Sequence, residues 1–396
     1  MLSRQIASKL RGYETPFYLY DTALLRQTLE SVVYESKKYG YKVHYAIKAN
    51  YDDHLLAIIR EYGLGIDCAS GNELRKAVEA GFDPKGIVYA GVGKRDKELK
   101  YAIEQNILAI NCESIQELEL VDAFSAEMGK VTDIALRINP DIDPKTNHCI
   151  DTGQADSKFG ISYEEVLEHA AEIRSLKNVN IIGLHLHIGS QIRELHVFEN
   201  MCNKVNVIVE NLEKLGCKFR FVDVGGGLGV NYDVPENEPI PNFASLFSIV
   251  HNHLRIGENI LLGKDLQVNW GIQDMDYLRM DGFTLRAEVV EVREKPTYPI
   301  GEFAIDAFGR KPVYVDRGIR RRAILALGRA DVGELESLIP REAGLTVIGG
   351  SSDHCIVDVE DCPRRLEVGD IVEFSLCYSH LLYATSRSDI TIQFVN

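Results

Sequence analysis

A lysine near the end of a predicted strand is the residue of this sequence best suited to covalent chemistry. Lys48 lies in the run Tyr45–Asn50 (YAIKAN), just before the small residue Ala49. In the mouth of a barrel its amine would be poorly solvated and could act as a Schiff-base nucleophile. Taken alone, the run is equally typical of an ordinary surface lysine.

A glycine-rich turn and a histidine pair indicate a bound group. Gly225–Gly229 (GGGLG) follows a strand ending at Val224, and backbone N–H groups without neighbouring Cβ atoms can cradle a phosphate, although tight turns also need glycine. His185 and His187 stand two residues apart on a strand, so they share one face. Zinc or manganese would need a third ligand that the spacing does not provide, so we predict no metal and favour an imidazole stacked on a cofactor ring.

The fourth signal is an arginine inside an apolar strand. Arg255 lies in His253–Glu258 (HLRIGE), and a buried guanidinium needs an acceptor. A cofactor nitrogen is one candidate, and an internal ion pair with Glu258 or Asp223 is the other.

Strand-like and helix-like segments alternate regularly around these residues. Eight such alternations in about 240 residues predict a closed (β/α)₈ barrel. The predicted strands are His44–Lys48, Leu64–Cys68, Ile87–Ala90, Ala109–Cys112, Asp133–Ile138, Ile181–His187, Phe219–Val224 and His253–Ile260. Helices between them include His54–Glu61, Gly71–Ala80, Ile115–Met128, Tyr163–Ile173 and Val197–Leu215.

After about Gly263 the pattern changes to strands separated by turns. The fold class is therefore α/β, with a barrel over residues 25–265 and a mostly β domain made of residues 1–24 and 266–396. The early strand Phe17–Tyr20 has no partner within the barrel, so we expect it to pair with the C-terminal sheet.

Composition narrows the possible functions. The 396 residues carry a formal net charge of −15, which disfavours nucleic-acid binding. The first residues contain no apolar signal-peptide core, and no apolar run is long enough for a membrane helix. The eight cysteines form no C-x-x-C pair, as expected of reduced thiols in a cytoplasmic protein.

Ordered motifs from about Thr15 to Tyr232 resemble the barrel of fold-type III pyridoxal 5′-phosphate (PLP) decarboxylases, above all diaminopimelate decarboxylase. The motifs are Thr15–Asp21 (TPFYLYD), Tyr45–Asn50, Asp67–Glu73, Arg137–Asp141 (RINPD), Thr152–Ile161 (TGQADSKFGI), His185–Gln191 and Gly225–Gly229. The resemblance implies PLP as the cofactor and Lys48 as its lysine. It further implies that His187 stacks on the cofactor ring. The phosphate would be held by Ser190, Gly225, Gly226, Gly227 and Gly229, and the substrate would lie near Arg137, Ser157, Lys158 and Phe159.

Beyond Pro241 the Glu-Pro-Gly-Arg turn and Cys-Glu-Ser loop of those decarboxylases have no counterpart. The later segments resemble the alanine racemase superfamily, especially ornithine racemase, so the chain looks like a hybrid that joins near residues 240–250. By this second resemblance Arg255 faces the pyridine nitrogen, Gly257 belongs to the same cofactor-binding turn, and Tyr378 contacts the cofactor.

The pyridine-facing arginine favours racemisation. A carboxylate keeps that nitrogen protonated and an arginine leaves it neutral, so the electron sink that decarboxylation uses is expected to be weak. Racemisation of a basic or diamino acid needs a second acid–base group opposite Lys48, for which Glu302, Asp353, His354 and Cys355 are candidates. Structural roles in turns and core remain open for all four.

Three other functions stay open. The first is a diaminopimelate-type decarboxylase, supported by the whole barrel match. The second is a PLP-binding protein without catalytic activity, and the third is a metal-dependent aldolase using the histidine pair. The resemblance also implies a homodimer in which the second domain completes the partner's site.

Overall fold

The chain forms two compact units, residues 24–280 and residues 1–23 with 281–396, each considered separately below. A computed structural model describes residues 10, 12–140, 142, 159–190, 192, 194–214, 216–227, 253–261, 282–298, 315–387 and 389–395. The boundary predicted at residues 265 and 266, and the join predicted near residues 240–250, lie outside these residues.

The first strand, β1 (Phe17–Asp21), belongs to the second unit, and the strands that follow it build a closed barrel. Eight parallel strands form a closed barrel, since β5 pairs with β6. The short β7 (Ile161–Ser162) pairs in parallel with the end of β6. The barrel strands are β2 (Lys42–Ala46), β3 (Gly65–Cys68), β4 (Ile87–Tyr89), β5 (Ala109–Cys112), β6 (Thr132–Asn139), β8 (Val179–His185), β9 (Phe221–Asp223) and β10 (His253–Ile256). All eight predicted strands are present, and the predicted barrel is confirmed. Three of them end clearly earlier than predicted, because Lys48 lies in a 3₁₀ turn, His187 follows the end of β8, and the chain after Gly257 turns into a short helix.

Helices follow the barrel strands, and their apolar faces supply part of the core. The helix over Asp53–Glu61 begins at Asp52, whose side chain accepts hydrogen bonds from two backbone N–H groups. The predicted helix Tyr163–Ile173 is wrong as one element, because the chain breaks at His169 into two short helices. The helices of this unit are α1 (Thr22–Tyr39), α2 (Asp53–Glu61), α3 (Gly71–Glu79), α4 (Asp96–Gln105), α5 (Ile115–Glu127), α6 (Tyr163–Glu168), α7 (Ala170–Ser175), α8 (Leu195–Lys214) and α9 (Glu258–Leu261).

The second unit is an antiparallel sheet with one added parallel strand. As predicted, β1 pairs with later strands, antiparallel to β11 and parallel to β17. The main path of the sheet runs β13, β16, β11, β12, β15, β14. Its elements are β11 (Phe283–Pro296), β12 (Ile319–Leu325), α10 (Arg329–Val332), β13 (Ile339–Pro340), β14 (Thr346–Gly350), β15 (Cys355–Asp358), β16 (Ile371–Ser375), α11 (Tyr378–Ser386) and β17 (Ile392–Val395). No helix among the described residues is long and apolar enough to cross a membrane.

The barrel interior contains two stacked imidazoles below its polar mouth. The rings of His44 and His253 lie 3.9 Å apart at 33°, and both side chains are buried. Gly65 on the neighbouring strand makes room for His44, since a Cβ there would come within 2.4 Å of the ring. Burial and the mutual repulsion of the charged forms hold the pKa of His44 well below its usual range. Burial, with Arg255 nearby, lowers the pKa of His253 to about 3.

These histidines are expected to make the fold sensitive to acid. A histidine whose pKa is lower in the folded than in the unfolded protein leaves stability intact above the unfolded pKa, about 6.5, and removes it as the pH falls towards the folded value. His253→Phe should therefore flatten the fall in unfolding free energy between pH 6.5 and 4.5 by up to about 1.4 kcal/mol per pH unit. Urea denaturation at several pH values measures this.

The control is His196→Phe, because the His196 side chain is 55% exposed. It should leave the pH dependence as it is in the unchanged protein. Buried carboxylates titrate in the opposite sense, so the comparison is the difference between variant and parent curves. An identical slope for His253→Phe and the parent would contradict the prediction.

Candidate active site at the barrel mouth

Lys48 lies at the mouth of the barrel, just after β2. It sits in a short 3₁₀ turn, Ile47–Ala49, between two buried side chains. The turn is fixed by Tyr45, whose hydroxyl donates to the carbonyl oxygen of Asn50 at 2.8 Å. The Lys48 side chain is exposed, so the predicted poor solvation is not observed. Its amine can therefore be reached by a small molecule.

Beside Lys48, Arg255 on β10 is held between two carboxylates. Its Nη1 donates to Asp67 at 2.8 Å, and its Nε donates to Asp223 at 3.2 Å. Its Nη2 lies 2.7 Å from Nε2 of His185. Each of the three guanidinium nitrogens thus has a partner on another barrel strand. The predicted internal ion pair with Asp223 is present.

The charges of this cluster do not cancel. Burial lowers the pKa of Arg255, but Asp223 and Asp67 more than offset this effect and raise it, so the guanidinium stays charged. Burial raises the pKa of both carboxyl groups, and Arg255 opposes the shift. One cation shared between two buried carboxylates leaves each incompletely compensated, which explains why all three pKa values rise. The charge of Lys48 also favours the ionised form of Asp67.

The cluster forms part of one inward-facing layer of the barrel. Asp67, Asn111, His185 and Arg255 come from alternate strands, which is how side-chain layers of such barrels are built. Several buried polar atoms of this region have no hydrogen-bond partner among the described residues: Oδ1 of Asp67, both amide atoms of Asn111, Nδ1 of His185 and Oδ2 of Asp223. Such atoms cost about 1 to 3 kcal/mol each when they stay unpaired. The layer therefore offers unpaired hydrogen-bonding atoms to a polar ligand.

The histidine pair has the character of neutral imidazoles. His185 is buried, His187 is half-buried, and burial followed by the charge of Arg255 holds both pKa values well below the usual range. A guanidinium 2.7 Å from His185 would repel a metal cation bound there. The geometry thus disfavours the metal-binding alternative for this pair.

The glycines after β9 form a cradle that no other residue fits. A Cβ on Gly225 would come within 2.6 Å of the Leu186 carbonyl oxygen and 2.9 Å of Nδ1 of His187. A Cβ on Gly227, whose φ is +102°, would come within 2.0 Å of the Gly189 carbonyl oxygen. Gly226 is equally confined, at 2.5 Å from the carbonyl oxygen of Arg255. The glycines therefore let this loop pack directly against the backbone that follows β8 and against Arg255 on β10, and they leave the loop without side chains.

Two other predicted cofactor residues lie in the same rim of loops. A Cβ on Gly257 would come within 3.1 Å of the Ala46 Cβ and 3.2 Å of the Ala49 Cβ, so this glycine lets the loop after β10 approach the Lys48 turn. Ser190 is half-buried in the loop after β8.

A second charged network lies after strands β4 to β6. Arg137 donates through Nη1 to both oxygens of Glu113, at 2.7 and 2.9 Å, and its guanidinium lies 5.4 Å from the centre of the Phe159 ring. The ammonium of Lys94 lies 3.0 Å from both oxygens of Glu117, and its side chain is fully buried. Two cations and two carboxylates balance here, unlike in the Arg255 cluster.

Sequence reasoning did not single out Asp67, Lys94, Glu113 or Glu117 as site residues. Asp67 lies on a strand, and the other three lie just after the carboxyl ends of β4 and β5, where barrel enzymes carry their functional side chains. That position was the signal available in the sequence.

The remaining predicted site residues fall elsewhere. Asp353 and His354 form a turn around Ser351, whose hydroxyl donates to Asp353 at 2.6 Å and lies 2.6 Å from Nδ1 of His354. The hydrogen bond from Ser351 lowers the pKa of Asp353. The Asp353 side chain is 89% exposed. Tyr378 is half-buried at the start of α11. Glu302, Ser157, Lys158 and Gly229 lie outside the described residues.

Comparison with known proteins identifies the family of the barrel. Residues 26–257, more than half of the chain, match the model for the pyridoxal binding domain of pyridoxal-dependent decarboxylases. The chain belongs to the pyridoxal-dependent decarboxylase family. Diaminopimelate decarboxylase of Bacteroides thetaiotaomicron is 45% identical over 249 residues, and that of Aquifex aeolicus is 37% identical over 261 residues. These matches cover 63% and 66% of this chain but only 64% and 62% of the relatives.

Solved structures of the decarboxylase family extend the likeness to both units. Diaminopimelate decarboxylase from Helicobacter pylori, complexed with L-lysine, superposes with a TM-score of 0.74 at 25% identity and covers 99% of this chain and 94% of its own. Lysine decarboxylase from Selenomonas ruminantium, at 17% identity and a TM-score of 0.69, covers 100% of this chain and 96% of its own and shares the fold. A barrel with a separate antiparallel β domain is thus the architecture of this family.

The residues at the mouth fit PLP, the cofactor of the decarboxylase family. The loop from Gly225 to Gly227 presents backbone without side chains, as a phosphate site needs, and the Lys48 amine is accessible. Oδ1 of Asp67, which has no hydrogen-bond partner among the described residues, offers an acceptor to the cofactor. These observations favour the same residues that the sequence assigns to the cofactor.

The prediction of a racemase is wrong. The relatives of this chain carry the name diaminopimelate decarboxylase, and its structural neighbours are diaminopimelate, lysine and arginine decarboxylases. The prediction rested on the resemblance of Arg255 and the later segments to the alanine racemase superfamily, in which an arginine faces the pyridine nitrogen. In the structure all three donor positions of Arg255 are engaged by Asp67, Asp223 and His185, so the residue type alone was a poor guide to its electrostatic effect.

Removing the cation of the Arg255 cluster should cost more than removing one anion. Arg255→Gln leaves two buried carboxylates uncompensated and should lower the unfolding free energy by about 3 to 5 kcal/mol. Asp67→Asn leaves one balanced pair and should cost about 1 to 2 kcal/mol. Because the carboxyl groups of Arg255→Gln would have raised pKa values, its deficit should shrink as the pH falls.

Urea denaturation of the cofactor-free protein at pH 7.5 and pH 5.5 measures both variants. Arg26→Gln is the control, since Arg26 and Glu61 form an exposed pair at 2.6 Å that should contribute less than about 1 kcal/mol. Equal losses for Arg255→Gln and Asp67→Asn would contradict the proposed charge balance.

The glycine cradle can be tested with alanine substitutions at two glycines of similar, positive φ. Gly227 and Gly216 both have positive φ, +102° and +97°, but a Cβ on Gly216 would meet open space. Gly227→Ala should weaken PLP binding at least tenfold because the loop must move, whereas Gly216→Ala should leave it within about twofold. Titration of PLP followed by absorbance measures the dissociation constants, and equal constants would contradict the cradle.

Proposed function

We propose that this protein is a PLP-dependent decarboxylase that acts on a diamino acid of the diaminopimelate type. The observation that carries the proposal is the 45% identity over 249 residues to a diaminopimelate decarboxylase, combined with the accessible Lys48. The matched segments cover about two thirds of those relatives' length, so activity and substrate remain proposals.

Each part of the mouth has a proposed task. PLP supplies the electron sink when bound. The Lys48 amine would hold it covalently, and the backbone N–H groups of Gly226 and Gly227 would hold its phosphate, since the N–H of Gly225 already donates to Asp223 at 2.8 Å. His187 packs against its ring as a neutral imidazole. Arg255, held in place by Asp67 and Asp223, determines the charge of the inward-facing layer at the barrel mouth.

The substrate is proposed to lie near the second charged network. Phe159 and Arg137 are in contact, and Glu113 orients the guanidinium through two hydrogen bonds. An oriented guanidinium suits recognition of a carboxylate. Ser157 and Lys158 are proposed to approach the distal end of the substrate.

Other sequence expectations stay predictions. They comprise a homodimer, a cytoplasmic location, cofactor contacts by Ser190, Gly229, Gly257 and Tyr378, and acid–base roles for Glu302, Asp353 or His354.

A second candidate is a PLP-binding protein without decarboxylase activity. One observation favours it: the segment from Arg255 to Glu258, at the end of β10, stands where the decarboxylases have their Glu-Pro-Gly-Arg turn. The cofactor nitrogen would then meet a guanidinium in place of a carboxylate.

Carbon dioxide release from meso-diaminopimelate, L-lysine and L-arginine tests the proposal. The PLP-loaded protein should release carbon dioxide from diaminopimelate most rapidly, and Lys48→Ala should lose at least about 10³-fold in rate. Borohydride reduction followed by peptide mass spectrometry should place a pyridoxyl group on Lys48, with Lys42→Ala as a control that keeps the adduct.

The two readouts separate the candidates. An adduct on Lys48 with no carbon dioxide from any of the amino acids would favour the non-catalytic function. No adduct on Lys48 would contradict both.

A further inference from the structure

The second unit contains a thiol whose surroundings differ from those of the other described cysteines. Cys377 precedes α11, and its Sγ lies 3.2 Å from Nδ1 of His380 and 3.1 Å from Oγ of Ser379. The side chain is half-buried, so small reagents can reach it. We propose that Cys377 and His380 form a nucleophilic pair and that Cys377 is a site of selective covalent modification by soft electrophiles.

The imidazole is fixed by contacts on its other side. Nε2 of His380 lies 2.9 Å from the carbonyl oxygen of Glu334 and 3.3 Å from Oγ of Ser337, and the ring is fully buried. A carbonyl oxygen only accepts, so Nε2 carries the proton and Nδ1 presents its lone pair to the thiol. The backbone N–H of Cys377 donates to the same Nδ1 at 3.1 Å, which fixes the ring against the start of the helix.

This arrangement allows the thiol to lose its proton to its neighbour. The proton of Sγ passes to Nδ1, giving a thiolate beside an imidazolium. Once Nδ1 of His380 carries the proton, it no longer accepts the hydrogen bond from the backbone N–H of Cys377. This loss is opposed by the N-terminal end of α11 and the Ser379 hydroxyl, which stabilise the negative sulfur. Burial raises the pKa of Cys377, but the hydrogen bonds from His380 and Ser379 outweigh it and lower the pKa to about 6.

The protein provides its own matched thiols. Cys217 and Cys362 are also half-buried, and burial raises the pKa of each above its usual range. Cys68, Cys112, Cys202 and Cys355 are buried, with raised pKa values. Cys377, Cys217 and Cys362 are therefore similarly accessible. What distinguishes Cys377 is the neighbouring imidazole of His380.

The reaction with iodoacetamide balances without a further reactant. The thiolate sulfur forms a bond to the methylene carbon, iodide leaves, and the proton held on His380 is released to water. At pH 6 about half of Cys377 is thiolate, against fewer than about 1% of ordinary thiols. The thiolate of a more acidic thiol is less nucleophilic, which lowers its rate about tenfold. Alkylation of Cys377 should still be about tenfold faster than alkylation of an ordinary thiol.

The experiment treats the full-length, PLP-loaded protein with limiting iodoacetamide at pH 6 and quantifies each alkylated cysteine by peptide mass spectrometry. We expect Cys377 to react about tenfold faster than Cys217 and Cys362. Its rate should level off above about pH 7, whereas the rates of the two controls should still rise. Equal rates for the three cysteines would overturn the proposal.

Two variants test the partner. His380→Asn should slow alkylation of Cys377 at pH 6 about tenfold and leave Cys217 and Cys362 unchanged. Ser379→Ala keeps the imidazole and should slow it by less than about threefold, which serves if His380→Asn fails to fold. An unchanged rate in folded His380→Asn, or a larger loss in Ser379→Ala than in His380→Asn, would overturn the pair.

Discussion

The barrel mouth depends on one guanidinium that joins three strands. Arg255 reaches from β10 to Asp67 on β3, Asp223 on β9 and His185 on β8, and each contact is shielded from water. Charges buried in this way are costly unless their partners are present, so the two carboxylates depend on the guanidinium more than it depends on either of them. The cluster brings the Lys48 turn, the glycine cradle and the histidine pair to one rim, and it leaves a surplus negative charge beneath them.

The barrel interior changes character along its axis. Where β5 and β9 begin it is apolar, with Val88, Ala109, Ala135 and Phe221 in one cluster, and the stacked histidines lie beside this cluster. Towards the carboxyl ends of the strands it becomes charged. The apolar part offsets the cost of a mouth whose polar atoms are left without partners.

The fold was largely predictable, and the site was predictable in part. Strand positions followed from short apolar runs, and the alternation with helices required a parallel barrel. Lys48 and the glycines were found because their chemistry depends on residue type and local backbone. The environment of Arg255 could not be read in the same way, because Asp67 is distant in sequence and only barrel closure brings it near. The break at His169 was missed for a related reason, since apolar spacing continues across both short helices.

The pairing of β1 with β11 and β17 has a consequence for synthesis of the chain. The ribosome makes Phe17–Asp21 first, but its partners, which begin at Phe283 and Ile392, emerge only after the whole barrel has been translated. Until then the apolar side chains of this early segment lack their native cover. A nascent chain of this kind therefore carries an unpaired strand edge through most of its translation, and such an edge is prone to aggregation until its partners arrive.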